Sequence, residues 1–290
     1  MAKVRGITGK AAGRTLVAVV VLCVGAGGAV SCATRSKRDP DQSQIRYQLA
    51  VGYYRDRRVE AAMEELEKAL KADPDNADAY NMLGIIALRQ GHDYLMQLES
   101  AACLKGEDAE AVRGDALRKF KEAEENLRKA VELRTDFSNA WNNLSVAGLQ
   151  LHDWDLAINA AKSALKDATY AEPEVARANL GWAYYQKKEL LPAWKELHEA
   201  VSRAPSFCVG RYRLAKVYLE RSEIDSAAEE VDAVVTNKRC PIQEAYLLAG
   251  MLHERKKDRE QARSMFERCA ELAPRSCVAA ECRRYGQLIQ

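Results

Sequence analysis

"NLGWAYYQKKELLPAWKELHEAVSRAP", Asn179 to Pro205, decides how this chain folds. Leu180 and Gly181 are followed three residues later by Tyr184, then by Ala193 in a second apolar-periodic run, and Pro205 closes the stretch. A small residue in each of two consecutive helices lets them cross closely, and proline cannot continue a helix. The same phase runs through most of the chain. An alanine at the helix crossing recurs at Ala62, Ala123, Ala157, Ala193, Ala227 and Ala262, with steps of 61, 34, 36, 34 and 35 residues. A small residue on the preceding helix recurs at Ala50, Gly84, Ser145, Gly181, Ala215 and Gly250, and Leu49, Leu83, Leu144, Leu180 and Leu214 stand just before five of these. Tyr53, Tyr184 and Tyr218 follow three residues after a small residue, and Pro74, Pro205 and Pro274 close units. Six units in register predict an all-α superhelix of six helix hairpins, because one hairpin cannot bury its own apolar face and neighbours must stack to make a core. With 16 glycines and 7 prolines in 290 residues, little interrupts helix.

The departures from a 34-residue period are equally informative. The 61-residue step leaves an insertion of about 27 residues, at about 91–117, which contains Cys103 and the polar run "KGEDAEAVRGD" and is expected to be an extended or broken helix plus a loop. The 36-residue step is a slip of two residues inside "ALKDATYAEPEVARANLGWAYY", Ala164 to Tyr185, where Pro173 disfavours helix at Glu172 and forces one helix to end before another starts. The repeats are expected over 44–275 and a capping helix over 276–290.

The N-terminus has a different composition. Lys3, Arg5, Lys10 and Arg14 precede "TLVAVVVLCVGAGGAV", an apolar run short for the ~30 Å hydrocarbon core and typical of an export signal. Ala29-Val30-Ser31-Cys32 resembles a bacterial lipobox, so residues 1–31 are expected to be removed and Cys32 to carry acyl chains. Ala33 after that cysteine, rather than Asp, implies sorting to the outer membrane. Residues 32–43 are expected to be a lipidated N-terminus and flexible tether, and an uncleaved membrane anchor or an ordinary soluble export signal are the competing readings. Gly25, Gly27 and Gly28 lie inside the signal, with no strand and helix to make them a phosphate loop. Without the four cations of the signal, acidic residues exceed basic ones by two, which gives no attraction for nucleic acid.

The repeat pattern resembles the tetratricopeptide repeat. "NNL" at Asn142 to Leu144, Asp167, Tyr170, Glu172-Pro173-Glu174, "NLG" at Asn179 to Gly181, and the run from Ala200 to Pro205 further resemble the type IV pilus biogenesis lipoproteins known as secretin pilotins, including their gliding-motility branch. That resemblance implies an outer-membrane, lipid-anchored pilotin on the periplasmic face. Such a protein binds the type IV pilus secretin subunit and promotes its localisation and multimer assembly for twitching or gliding motility. The chain is expected to be monomeric by itself and to need no cofactor. Another envelope adaptor, serving β-barrel assembly or peptidoglycan hydrolases, is the alternative. The insertion and the six cysteines after Cys32 depart from the family's usual form.

No enzyme is expected. His92, His152, His198 and His253 are far apart and share no metal-ligand spacing, and no nucleophile, base and acid stand together. "RDRR" and "HERKKDRE" fit solvated turns. Cys103, Cys208, Cys240, Cys269, Cys277 and Cys282 are an even set for an oxidising compartment. Cys269 and Cys282 lie nearly equidistant from the turn at Pro274 to Ser276, and Cys208 and Cys240 bracket the fifth hairpin, so these are the candidate disulfides. A zinc site on the last three cysteines is the competing reading and lacks close C-x-x-C pairs.

In the tetratricopeptide architecture the first helix of each unit lines the concave face. Its inward positions here are Tyr47, Val51, Tyr54 and Arg55, then Asn81, Ile85, Leu88 and Arg89, an apolar strip with flanking arginines. A second strip comprises Trp182, Tyr185, Tyr212 and Lys216. Both are candidate partner-binding grooves, since exposed aromatic and arginine side chains are the usual anchors of an interface. The first is preferred for its closeness to the lipidated end.

Overall fold

The computed structural model describes residues 38–100, 103 and 106–289. The expected signal, 1–31, and the lipid-attachment residue Cys32 lie outside the described residues. Within them the secondary structure is helical, in thirteen segments. They form six antiparallel hairpins: α1 (Pro40–Arg55) with α2 (Val59–Ala72), α3 (Ala77–Ser100) with α4 (Glu107–Leu133), α5 (Ser138–Gln150) with α6 (Trp154–Ala164), α7 (Pro173–Gln186) with α8 (Leu190–Arg203), α9 (Cys208–Glu220) with α10 (Ile224–Val235), and α11 (Gln243–Arg255) with α12 (Arg259–Leu272). α13 (Cys277–Leu288) packs on the last hairpin as a cap.

Close helix crossing explains the periodic alanines. Ala62, Ala123, Ala157, Ala193, Ala227 and Ala262 are all completely buried. Backbone approaches backbone in the third hairpin, where a Cβ on Gly148 would stand 2.8 Å from the backbone N of Ala157 and 3.1 Å from the Asp153 carbonyl oxygen. Stacking between hairpins explains the leucines: Leu144, Leu180 and Leu214 are at most 3% exposed, whereas Leu49, in the first unit with no predecessor, is 44% exposed.

Two recurring local devices hold the hairpins. Arg57, His152, Lys188, Ser222 and Lys257 occupy the same turn of five units with φ near +60°, a left-handed conformation taken here without glycine. The following residue then donates back into the first helix, as Asp153 N–H does to the Gly148 carbonyl at 2.9 Å and Glu189 N–H to the Tyr184 carbonyl at 2.9 Å. Across three hairpins an arginine on the first helix meets a glutamate nineteen residues on: Arg46–Glu65 at 3.0 Å, Arg177–Glu196 at 2.7 Å and Arg211–Glu230 at 2.6 Å.

The second hairpin is longer than the others. Its helices run on through the insertion to Ser100 and from Glu107, and the packing of the repeat continues with them: Gly84 faces Leu127, and seven residues on Gly91 faces Phe120. The slip at Pro173 has a different use. Its eight-residue connection holds Tyr170, only 7% exposed, against Trp141, Leu165 and Ala176. Asp167 accepts from Ser138 Oγ at 2.9 Å and from Thr169 N–H and Oγ1, which hold its carboxyl below its ordinary range. The extra residues thus pin the start of α5 to the start of α7.

One expected boundary is corrected. The tether does not extend to Ser43, because Asp39 caps α1 by accepting from Gln42 N–H at 2.9 Å and Pro40 begins the helix. Ser43 is fully buried and accepts from Asn76 Nδ2 at 2.8 Å. Arg38 also pairs with Asp75, so the chain is fixed to the first hairpin ahead of the helix.

Among the described residues three disulfides are present: Cys208–Cys240, Cys269–Cys282 and Cys103–Cys277. They consume the thiols that a zinc site at the C-terminus would need. Cys269 and Cys282 are completely buried and cross-link α12 to α13. Closing a loop of this length contributes about 3 kcal/mol. Cys269→Ser with Cys282→Ser is therefore expected to lower unfolding free energy by about that amount in a urea titration, with loss of α13 protection first.

Candidate partner-binding grooves

The first concave strip is divided by the structure. Tyr54, Ile85, Leu88 and Arg89 share one open groove of about 510 Å³, whose wall is completed by His92, Asp93, Phe120, Asn143, Val146 and Gln150. Tyr47 is instead half-buried in the N-terminal core, where burial and the nearby Asp78 carboxylate push its phenol up. Val51 is half-buried on the same helix, and Arg55 is exposed in the last turn of α1. Neither lines the groove.

Asn81, expected to point at a partner, is 8% exposed and accepts from Asn143 Nδ2 at 3.0 Å. It belongs to a ladder that links the first helices of successive hairpins: Asn179 Nδ2 donates to Asn142 Oδ1 at 3.1 Å, and Arg213 Nη1 donates to Asn179 Oδ1 and to the Ala178 carbonyl, both at 3.1 Å. Buried amides satisfied in this way fix register between helices. Their role is to set the curvature on which the groove depends.

In the second strip the aromatic faces are already used. Trp182 and Tyr185 stack at 4.7 Å between centroids, with 14° between planes. Arg213 Cζ lies 5.4 Å and Lys216 Nζ 5.8 Å from the centre of the Trp182 ring, and Lys216 also lies 5.9 Å from that of Tyr212. Tyr185 is corrected from a surface contact to a core residue. It is 7% exposed, and burial beside Glu220 pushes its phenol up to about 12. Desolvation pulls Arg213 down to about 10, and burial with the Glu244 charge raises the Tyr212 phenol. This strip is a self-satisfied cation–aromatic cluster, while the first offers unoccupied apolar surface flanked by Arg89.

Phe120, Asn143, Val146 and Gln150 were not nominated by position within a repeat. The available signal was the seven-residue spacing of Gly84 to Gly91 opposite Phe120 to Leu127, which carries the hairpin interface into the insertion. Among the described residues no helix is long and apolar enough to cross a membrane, and no group of His, Cys, Asp and Glu is arranged to hold a metal ion.

Three stretches match repeat families: residues 53–91 match a TPR repeat, and residues 115–171 and 243–276 each match a tetratricopeptide repeat. With six such hairpins stacked into a superhelix, the chain is a tetratricopeptide-repeat protein. In sequence it is related to the type IV pilus assembly protein PilF of Pseudomonas aeruginosa, 27% identical over 229 residues that cover 72% of this chain and 88% of PilF. The crystal structure of PilW, a widely conserved type IV pilus biogenesis factor, has the same fold, with a TM-score of 0.65 at 20% identity over 84% of this chain and 99% of PilW. A Drosophila melanogaster BBSome complex member BBS4 homolog is 23% identical over 227 residues, which cover 78% of this chain and only 40% of that protein. The matched families are repeat families of scaffold proteins, and none is catalytic.

Proposed function

We propose that this protein is an outer-membrane lipoprotein pilotin. It binds the type IV pilus secretin subunit in the groove of Tyr54, Ile85, Leu88 and Arg89 and promotes secretin localisation and multimer assembly. The observation that carries the reading is the relation to PilF along 88% of that protein's length and 72% of this chain, far more than a single repeat. The groove supports it physically, because half-buried tyrosine, leucine and isoleucine that lose water on contact, beside an arginine, suit a hot spot.

The anchor in this reading is diacylglycerol on Cys32. Acyl chains supply about 0.8 kcal/mol for each buried CH₂, and two or three chains hold stably. Seven residues separate Cys32 from Pro40, which limits the reach from the acylated residue to the start of α1 to ~25 Å. Cys32→Ala is expected to remove the protein from the outer-membrane fraction, and an unchanged fraction contradicts lipidation there.

Pulldown of the mature protein from envelope extract tests the function. Recovery of the secretin subunit is expected. Recovery of β-barrel assembly components or peptidoglycan hydrolases without secretin would replace this reading with the other adaptor role.

A further inference from the structure

The Cys103–Cys277 bridge joins residues 174 apart in sequence, with Cα atoms 4.7 Å apart. It ties the far end of the second hairpin to the first residue of α13. α3 touches α1 and α5 at its base and α13 at its far end, so the repeats after the second hairpin are closed into a ring by α3 itself. α3, α9 and α11 are each the first helix of a hairpin, the position that lines the concave face in this architecture. Glu99, near the end of α3, is raised by burial and by the charge of Glu244 on α11, and the same Glu244 charge adds to burial in raising Tyr212 on α9. The groove shares this hairpin, since His92, Asp93 and Phe120 on its wall belong to α3 and α4.

The three bridges differ in access. Cys269 and Cys282 are fully buried, Cys240 is 3% exposed and its partner Cys208 half-buried, whereas Cys277 is exposed and Cys103 half-buried, so Cys103–Cys277 is the bridge with an exposed member. Exposed disulfides are the ones open to exchange, because an attacking thiolate must reach a sulfur.

We propose that the Cys103–Cys277 disulfide is a redox latch that closes the α3–α4 hairpin over the concave face and controls entry of a partner to it; the partner part of this inference rests on the secretin reading above. Opening is thiol–disulfide exchange with a dithiol reductant. One reductant thiolate attacks a bridge sulfur to form a mixed disulfide and expels the other cysteine as a thiolate, which takes up a proton. The second reductant thiol then resolves the mixed disulfide, so two electrons and two protons pass to Cys103 and Cys277 and the reductant leaves as its disulfide. Closing is the reverse, with a disulfide-bearing oxidant accepting them.

The test compares oxidised mature protein, the same protein after mild dithiothreitol treatment mapped by peptide mass, and Cys103→Ser with Cys277→Ser. The probe is a bulky sulfosuccinimidyl biotin ester. Lys216, in the concave cluster, reports entry, and the exposed Lys162 on α6 is the control. Opening by either route is expected to speed Lys216 acylation about tenfold and leave Lys162 unchanged, with Cys103–Cys277 the first bridge reduced. Equal Lys216 rates in all three samples, or earlier loss of Cys208–Cys240, overturns the latch. Purified secretin subunit is then added: faster association and faster dissociation in the open forms are expected, and identical kinetics in open and closed forms overturn control of binding. If Lys216 opens but secretin binds no form, the latch stands and the secretin reading falls.

Discussion

Tyr54→Ala combined with Leu88→Ala is expected to weaken binding of the secretin subunit at least 100-fold and to abolish secretin multimers, with helicity and membrane attachment retained. Both side chains are half-buried and line the same groove as Ile85 and Arg89. Each truncation removes an apolar surface that a partner would desolvate, and anchors of this kind cost about 2 kcal/mol or more apiece, about 1,000-fold for two if additive, so the 100-fold bound leaves room for their non-additivity. Some destabilisation will accompany it, since Tyr54 also packs on the first core cluster and Leu88 on the second. Circular dichroism and the melting temperature separate that loss from the binding effect. Trp182→Ala with Tyr212→Ala is the matched control. Those rings are already engaged by Arg213, Lys216 and Tyr185, so their removal should lower stability more than it lowers binding. Normal multimers in the first variant and lost multimers in the second would move the site to the second cluster.

Gly148→Val is expected to cost about 3 kcal/mol of unfolding free energy, measured by urea titration. The obstacle at this position is backbone, the amide N of Ala157 and the carbonyl of Asp153, and backbone at a helix crossing cannot rotate away. Overpacking of this sort costs 1–3 kcal/mol even where side chains can give way. Gly52→Ala is the contrast: nothing lies within 4 Å of its added Cβ, so the helix-propensity gain of alanine, about 0.5–1 kcal/mol, should appear unopposed. A Gly148 variant as stable as the parent would mean that α5 and α6 cross less closely than described.

The sequence by itself determined the repeat. Small residues at helix crossings and leucines at stacking positions are constraints that every unit must satisfy locally, so they print a period that can be read without knowing the curvature. The cysteine pairs 208–240 and 269–282 belong to the same scale, since each joins adjacent elements whose antiparallel course follows from the hairpin. The left-handed turn residues were not legible, because Arg57, His152, Lys188, Ser222 and Lys257 include no glycine and the strain is met by hydrogen bonds back into the first helix. The start of α1 was placed too late, because the burial of Ser43 depends on Asn76, a residue 33 positions away.

Tertiary structure alone decided the groove and the ring. Phe120, Asn143, Val146 and Gln150 join Tyr54 and Leu88 only because neighbouring hairpins are rotated by a particular amount, and the Asn81–Asn143, Asn142–Asn179 and Asn179–Arg213 bonds that fix this rotation run between units. Cys103 meets Cys277 because those small rotations accumulate over the later hairpins until α13 arrives opposite the end of α3. A period is a property of one unit and is written in its residues. The closure of a superhelix is a sum over all of them, and no single stretch of sequence contains it.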